Sequence, residues 1–383
     1  MGSFNKNIKV ALVYDRVNKW GGAECVLLAL REIFPDAPLY TSVYDSKSAP
    51  WAKVFSKVLP SFLQKIPFAK TNHEFLGAFT PIAFESMDFS QYDLVISVTS
   101  EAAKGIITKP GTLHICYCLT PTRYLWSGRD FYFKNPPSML RKIPLFWYVS
   151  RPLVSYLIKW DKIAADRPDV MVAISQEVKK RIQRYYQREA EVIYPPVDIR
   201  RYTTLAKKSN KAKRKYFLVV NRLIPYKKVD LVVEAFNRLK LPLVVVGIGS
   251  EEKRLKRMAR KNITFAGFVD EDKLADYYQG AKALIMPQEE DFGIVAIEAQ
   301  AMGIPVIAYD KGGVIDTVVE KKTGILFSKQ EVDSLTLAVS QFNNIKFKRS
   351  DLLKNSKRFS KENFKVGFLN LLKRNWVLLY KSL

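Results

Sequence analysis

Apolar and polar positions along this chain change period again and again. Short apolar runs that read as strands, at 8–14, about 93–97, about 113–118 and about 170–174, alternate with segments of helical spacing, the first starting near residue 22. Strand, helix, strand, helix in that order predicts a parallel sheet covered on both faces. Ile193-Tyr194-Pro195-Pro196-Val197-Asp198 breaks the pattern, and the charge run from Lys207 to Lys215 reads as a solvated connection. A second alternation follows: strand 216–220, helix about 228–239, strand 242–246, helix about 251–260, strand 263–265, helix about 271–279, strand 282–286, an apolar helix from about 293 and strand 305–308. The tail from Asp351 to Leu383 is helical by pattern. The expected fold class is α/β, with two Rossmann-like domains and a ligand cleft between them at the strands' carboxyl ends.

Length agrees with two domains, since 383 residues exceed one ordinary core, and 48% apolar content is that of a globular chain. Three cysteines, Cys25, Cys116 and Cys118, are too few for a disulfide framework and fit a reducing compartment. With only His73 and His114 as histidines, a zinc site at Cys116-Tyr117-Cys118 is not expected. No stretch reaches the roughly 18 apolar residues needed to span a bilayer, and Met1–Lys6 lead into a strand without the pattern of a signal peptide. The expected location is the cytoplasm or the inner face of the membrane.

The net charge of +25 changes the picture of partners, leaving nucleic acid, anionic lipid and phosphorylated substrates open. Basic residues punctuate two aromatic and apolar segments, Trp51–Lys65 and Phe131–Trp160, the latter carrying Arg141, Lys142, Arg151 and Lys159. Such segments suit an anionic membrane interface, and equally a helix with a core face and a snorkelling basic face. No nucleic-acid motif is present, so nucleic acid is not an expected partner.

Candidate chemistry concentrates in Glu290-Asp291-Phe292-Gly293-Ile294-Val295-Ala296-Ile297-Glu298. A helix starting near Gly293 offers backbone N–H groups and a partial positive charge to a phosphate. Glu290 ahead of it and Glu298 within it can reach opposite sides of a bound diphosphate, and acceptor-only carboxylates suit hydroxyl-rich ligands. Arg222 and Lys227, in Asn221-Arg222-Leu223-Ile224-Pro225-Tyr226-Lys227-Lys228 after strand 216–220, supply a planar fork and a point charge for the same diphosphate. Gly21 and Gly22 follow the first strand, where glycine permits close backbone approach and positive φ. They do not form the G-x-G-x-x-G fingerprint, which disfavours NAD. Asp270-Glu271-Asp272 has the spacing of a metal-binding pair, but its place before Lys273-Leu274-Ala275 reads as a helix cap, so no metal site is expected.

The E-x7-E stretch, the Gly-Gly-Ala-Glu loop at 21–24 and R-L-x-P-x-K at 222–227 together resemble family 4 retaining glycosyltransferases of GT-B fold. The resemblance covers nearly the whole chain and is nearest to the bacterial O-antigen and polysaccharide mannosyltransferase branch. Ser61–Phe68, Tyr92–Ser97, His114–Cys118, Thr120–Tyr124 and Trp160-Asp161 carry it. It implies an acceptor-binding domain over 1–200, a linker over 201–215, a donor-binding domain over 216–358 and a helix over 359–383 that crosses back onto the first domain. It further implies catalytic roles for Glu290, Arg222 and Lys227. Donor contacts would come from Gly21, Gly22, Phe268, Val269, Phe292, Gly293, Ile294, Val295 and Glu298. The implied activity is metal-independent hexose transfer, with mannose favoured, from GDP-mannose or a UDP-sugar to a lipid-linked saccharide in cell-surface polysaccharide synthesis. The nucleotide sugar is then a substrate, and no cofactor is needed. Leu119 and Ser100 depart from the branch, which commonly has histidine at both places. Two other readings stay open: a GT-B nucleotide-sugar epimerase, and a non-catalytic polyanion-binding protein on a decayed fold.

Overall fold

The computed structural model describes residues 8–67, 69, 76–134, 146–208 and 214–381. Met1–Lys6, Phe68, His73, Arg141, Lys142 and positions 209–213 of the charge run lie outside the described residues. The chain divides into two compact units, one running to Pro195 and resuming at Phe364, the other spanning Pro196–Asn363.

The first unit is built on seven strands: β1 (Val10–Tyr14), β2 (Leu39–Thr41), β3 (Val58–Pro60), β4 (Leu94–Thr99), β5 (Leu113–Cys118), β6 (Val170–Ala173) and β7 (Glu191–Val192). Their spatial order is β3-β2-β1-β4-β5-β6-β7, every pair parallel. Residues of β4 and β5 are buried throughout, which is why their sequences run apolar instead of alternating. The short strands β2, β3 and β7 escape the periodicity reading, because two or three residues carry too little pattern. From Phe364 onward the helix Lys361–Lys381 packs within this unit, burying Phe364, Phe368, Leu371 and Leu372, with the Phe364 ring 5.8 Å from that of Tyr117.

A buried ion pair organises the polar interior of this unit. Lys104 Nζ donates to Asp161 Oδ1 at 2.5 Å, and both side chains are almost wholly buried. Thr122 Oγ1 donates to the same oxygen at 2.8 Å, while Trp126 Nε1 and the Tyr186 hydroxyl each donate to Oδ2 at 2.7 Å. Burial works against the lysine's charge, but the Asp161 carboxylate outweighs it and holds the ammonium above the usual lysine range. With every carboxylate lone pair used, this pair avoids the penalty of an incompletely satisfied buried charge.

The second unit holds β8 (Tyr216–Val220), β9 (Leu243–Val246), β10 (Ile263–Gly267), β11 (Ala281–Met286), β12 (Val306–Tyr309) and β13 (Gly324–Phe327), ordered β10-β9-β8-β11-β12-β13 and again all parallel. One core cluster joins Phe217, Val219, Phe236, Val245, Ile285, Ile307 and Leu335 across sheet and covering helices. The helix Ile294–Ala301 is apolar nearly all round because it is sandwiched, packing against the helices Ile199–Lys208 and Arg349–Lys357. That arrangement corrects the linker expected over 201–215: its first part is helical, and Tyr202 is buried with its ring edge-on to Tyr278.

His114, in β5, is fully buried, its Nε2 2.9 Å from the Ser97 hydroxyl of β4. Burial, aided by Arg167 and Arg188, pushes its pKa down from the model-peptide 6.5 to about 3. Between those values the unfolded chain binds a proton that the folded chain refuses, so stability is lost as pH falls below 6.5. Urea titrations from pH 7 to 4.5 are expected to show His114 contributing a loss approaching about 1.4 kcal/mol per pH unit. His114→Gln should flatten that part of the profile, and an unchanged slope would refute the assignment.

Candidate active site

In an open parallel sheet, ligands bind beyond the carboxyl ends of the strands, where strand order reverses. In the second unit that point lies between β8 and β11, and the two richest sequence motifs leave those two strands. After β8, the loop is anchored by fully buried Leu223, whose N–H donates to the Ile248 carbonyl at 2.9 Å. Pro225 then opens a single 3₁₀ turn, Pro225–Lys227, and left-handed Lys228 (φ 53°) leads into the helix Val229–Leu239.

The turn delivers Lys227 to Glu290. Its ammonium donates to Glu290 Oε1, with only 10% of the lysine side chain and 19% of the glutamate exposed. Gln288 Nε2 donates to the same oxygen at 2.8 Å, and Asn221 Nδ2 donates to Gln288 Oε1 at 3.0 Å. Arg222 goes elsewhere: its Nη2 donates to the Tyr226 hydroxyl at 2.9 Å on the exposed side of the loop. Lys227 and Glu290 are thus brought into direct contact, and Arg222 stands apart from both.

Gly293 adopts φ 92°, a left-handed conformation that glycine reaches without strain, and caps the helix Ile294–Ala301. The N–H groups of Gly293, Ile294 and Val295 have no acceptor within the helix, and Ala296 is the first to bond back, to the Gly293 carbonyl at 3.0 Å. Phe292 does not present its side chain: it is buried, its ring 5.5 Å from that of Phe359. The loop is braced from β12, where Gly313 N–H donates to the Glu290 carbonyl at 2.7 Å. A Cβ on Gly313 would stand 2.3 Å from the Asp291 carbonyl oxygen, so the backbones meet closer than any side chain allows.

Glu298 Oε2 accepts the Tyr278 hydroxyl at 2.9 Å. Burial, together with Glu298, raises the Tyr278 pKa well above its usual value, so the phenol stays a donor. Phe268 and Val269 follow β10 at the far end of the sheet order, Phe268 being 77% exposed. Asp270 Oδ1 accepts the Lys273 N–H at 2.8 Å and caps the helix Glu271–Gly280.

Gly21 and Gly22 belong to the first unit. Gly21 is extended (φ −174°), so the positive φ expected there is not used. Its constraint is close approach, since a Cβ would lie 3.2 Å from Glu24 Oε2. Glu24 is buried, its Oε1 accepting the Tyr14 hydroxyl at 3.0 Å, and desolvation raises its pKa. Gly22 opens the helix Gly22–Ile33. Where histidine was expected by resemblance, Ser100 N–H donates to Asp15 Oδ2 at 2.7 Å and Leu119 N–H to the Thr99 carbonyl at 2.7 Å. Both donors are backbone N–H groups, available to any residue but proline, and the Ser100 hydroxyl adds a 3.4 Å contact to Asp15 Oδ2.

Sequence reasoning missed Asn221, Gln288 and the Gly312-Gly313 brace. Gly-Gly shortly after a strand of a parallel sheet, with two residues between it and the end of β12, was the available signal for the brace. Nothing in periodicity marks a buried amide pair.

Residues 202–359 match the family described as Glycosyl transferases group 1. The GDP-mannose-dependent alpha-(1-6)-phosphatidylinositol monomannoside mannosyltransferase of Mycobacterium tuberculosis is 30% identical over 203 residues, 46% of this chain and 53% of that protein. The chain spans about half the length of the curated relatives it matches. Anabaena HepE, solved in complex with UDP and glucose, aligns with TM-score 0.68 at 18% identity, covering 96% of this chain and all of that one. Sucrose-phosphate synthase from Thermosynechococcus elongatus aligns with TM-score 0.69 at 17% identity over 97% of this chain and all of that one. These likenesses establish the fold as GT-B, two Rossmann-like parallel-sheet units.

Gly313→Ala is expected to push Asp291 and Phe292 aside and to cost about 1–3 kcal/mol of stability, read by chemical denaturation. A variant as stable as wild type would show that the close approach is not a constraint.

Proposed function

We propose that this chain, whose residues 202–359 match group 1 glycosyl transferases, is a retaining glycosyltransferase that moves a hexose from a nucleotide-diphosphate sugar to a lipid-linked saccharide. The observation that carries the reading is the convergence of Lys227 and Glu290 at the reversal of strand order, beside the start of the helix Ile294–Ala301. An ammonium has three donors, and Lys227 commits one to Glu290, so two remain to reach phosphate oxygens. The N–H groups of Gly293 to Val295 complete the anion site, which Arg222 joins by leaving Tyr226 when the donor binds. Glu290 takes sugar hydroxyls, and Glu298 the ribose hydroxyls. Phe268 and Val269 offer backbone groups to the base.

Transfer proceeds on the front face. The bond from the anomeric carbon to the diphosphate oxygen breaks, the acceptor hydroxyl oxygen bonds to that carbon, and its proton passes to the departing phosphate oxygen. The site neutralises the charge that develops on the diphosphate and needs no metal for that purpose. Mannose is the hexose we favour, in keeping with the GDP-mannose-dependent relative. Cell-surface polysaccharide synthesis is the setting that a lipid-linked acceptor suggests.

The acceptor's lipid calls for work at a membrane surface, and the helix Phe146–Asp166 supports that. It exposes Tyr148, Arg151, Leu153, Tyr156, Lys159, Lys162 and Ile163, while its Asp161 is buried. Among the described residues no helix is long and apolar enough to cross a membrane. On the strength of the exposed basic and aromatic side chains of Phe146–Asp166 we assign peripheral binding at the cytoplasmic face.

Arg222→Ala and Glu290→Ala are each expected to reduce turnover at least a hundredfold with the melting midpoint within a few degrees of wild type. In a thermal-shift panel of GDP, UDP and their sugars, one base should raise the wild-type midpoint by mass action. Near-normal turnover in both variants would remove the site assignment, and no shift with any nucleotide would favour the polyanion-binding alternative. Vesicles containing anionic lipid should co-sediment the protein at low salt and release it at high salt. Failure to bind at low salt would count against the membrane reading.

A further inference from the structure

We propose that Gln288 and Asn221 are positioning residues that aim the Glu290 carboxylate. The inference rests on the donor site just described and adds two side chains to it. Gln288 is 1% exposed, and its amide is fully engaged inside the loop. Its carbonyl oxygen accepts Asn221 Nδ2 at 3.0 Å, and its Nε2 donates to Glu290 Oε1 at 2.8 Å, with Asn221 Oδ1 a further 3.5 Å contact.

That order of donors fixes a direction. Asn221 holds the Gln288 oxygen, so the Gln288 nitrogen must face Glu290. The reverse orientation would set a carbonyl against a carboxylate, two acceptors with no proton between them. Lys227 donates to the same Oε1. Among the described residues both donors fall on Oε1, which leaves Oε2 as the oxygen to offer a sugar hydroxyl. Charge-assisted bonds of this kind are the stronger class, so the carboxylate's orientation is set before any ligand arrives.

The two amides also set a spacing. Asn221 directly follows β8, with its N–H bonded to the Val246 carbonyl, and Gln288 stands two residues beyond β11. Neighbouring strand ends are therefore stitched by side chains at the point from which one loop carries Lys227 and the other Glu290. A carboxylate that depends on Lys227 alone could follow the ammonium towards a phosphate. One also held by Gln288 stays behind to meet the sugar.

The discriminating quantity is the affinity for a nucleotide sugar relative to that for its nucleoside diphosphate, measured by calorimetry. The probe pair is GDP-mannose with GDP or UDP-glucose with UDP, whichever base wild type prefers. Gln288→Ala and Asn221→Ala should each lower that ratio about tenfold, through loss of a hydrogen bond to a charged group, while diphosphate affinity stays within twofold. Because they act through one chain of bonds, the double variant should be no worse than either single one. Gln288→Met, which keeps length and volume in the buried position, should behave as Gln288→Ala does if the alanine variant folds poorly. An unchanged ratio, or equal weakening of sugar and diphosphate, would reduce the pair to a structural stitch and overturn the proposal. No nucleotide binding by wild type would overturn the donor site and this inference with it.

Discussion

Parallel strand pairing is the constraint from which the candidate site follows. It sends every carboxyl end of a sheet to one edge, so loops distant in sequence emerge side by side. Lys227 and Glu290 are 63 residues apart along the chain and yet share a hydrogen bond, because β8 and β11 are neighbours in the sheet. Reversal of strand order at that pair leaves no covering crossover helix above it. The charged loops occupy the opening, and the helix Ile294–Ala301 begins there with N–H groups that have no acceptor within it.

Charge in this molecule is handled in two ways. The surface carries an excess of cations, a net +25. Inside each unit, a lysine and a carboxylate pair closely, and the two pairs differ in what surrounds them. Asp161 receives four donors, two on each oxygen, and is closed to any further partner. Among the described residues Glu290 receives Lys227 and Gln288 on one oxygen only, and it retains 19% side-chain exposure. Saturation of every lone pair makes an ion pair a piece of scaffold. Saturation of half of them leaves an acceptor that a ligand can use.

The match to group 1 glycosyl transferases covers 202–359, and the GT-B likeness extends along both units at low identity. A fold hosts many chemistries, so the functional reading stands on the residues at the switch point rather than on the architecture. Leu119 and Ser100 fit this view. Both are held through their backbone N–H groups, and the Ser100 hydroxyl adds a 3.4 Å contact to Asp15 Oδ2.

The sequence alone determined the alternation of strands and helices and marked the stretches proposed for phosphate and polyol chemistry, but it set the break between units at 201–215, whereas the structure begins its second unit at Pro196. The alternation and the marked stretches follow from local signals: apolar period, proline and glycine punctuation, and donors or acceptors at fixed spacing. Glu290, Arg222 and Lys227 were legible for that reason. The strands β2, β3 and β7 were not, being too short for a period, and the linker expected over 201–215 began as a partly buried helix because its partner, Ile294–Ala301, lies about ninety residues on. Only tertiary structure decided that Lys227 meets Glu290 while Arg222 turns to Tyr226. It alone sets Gln288 between Asn221 and Glu290, and brings Gly313 against the loop. Which side chains meet across two strands depends on strand order and register, and those are set by burial summed over the whole sheet, which no local window of sequence contains.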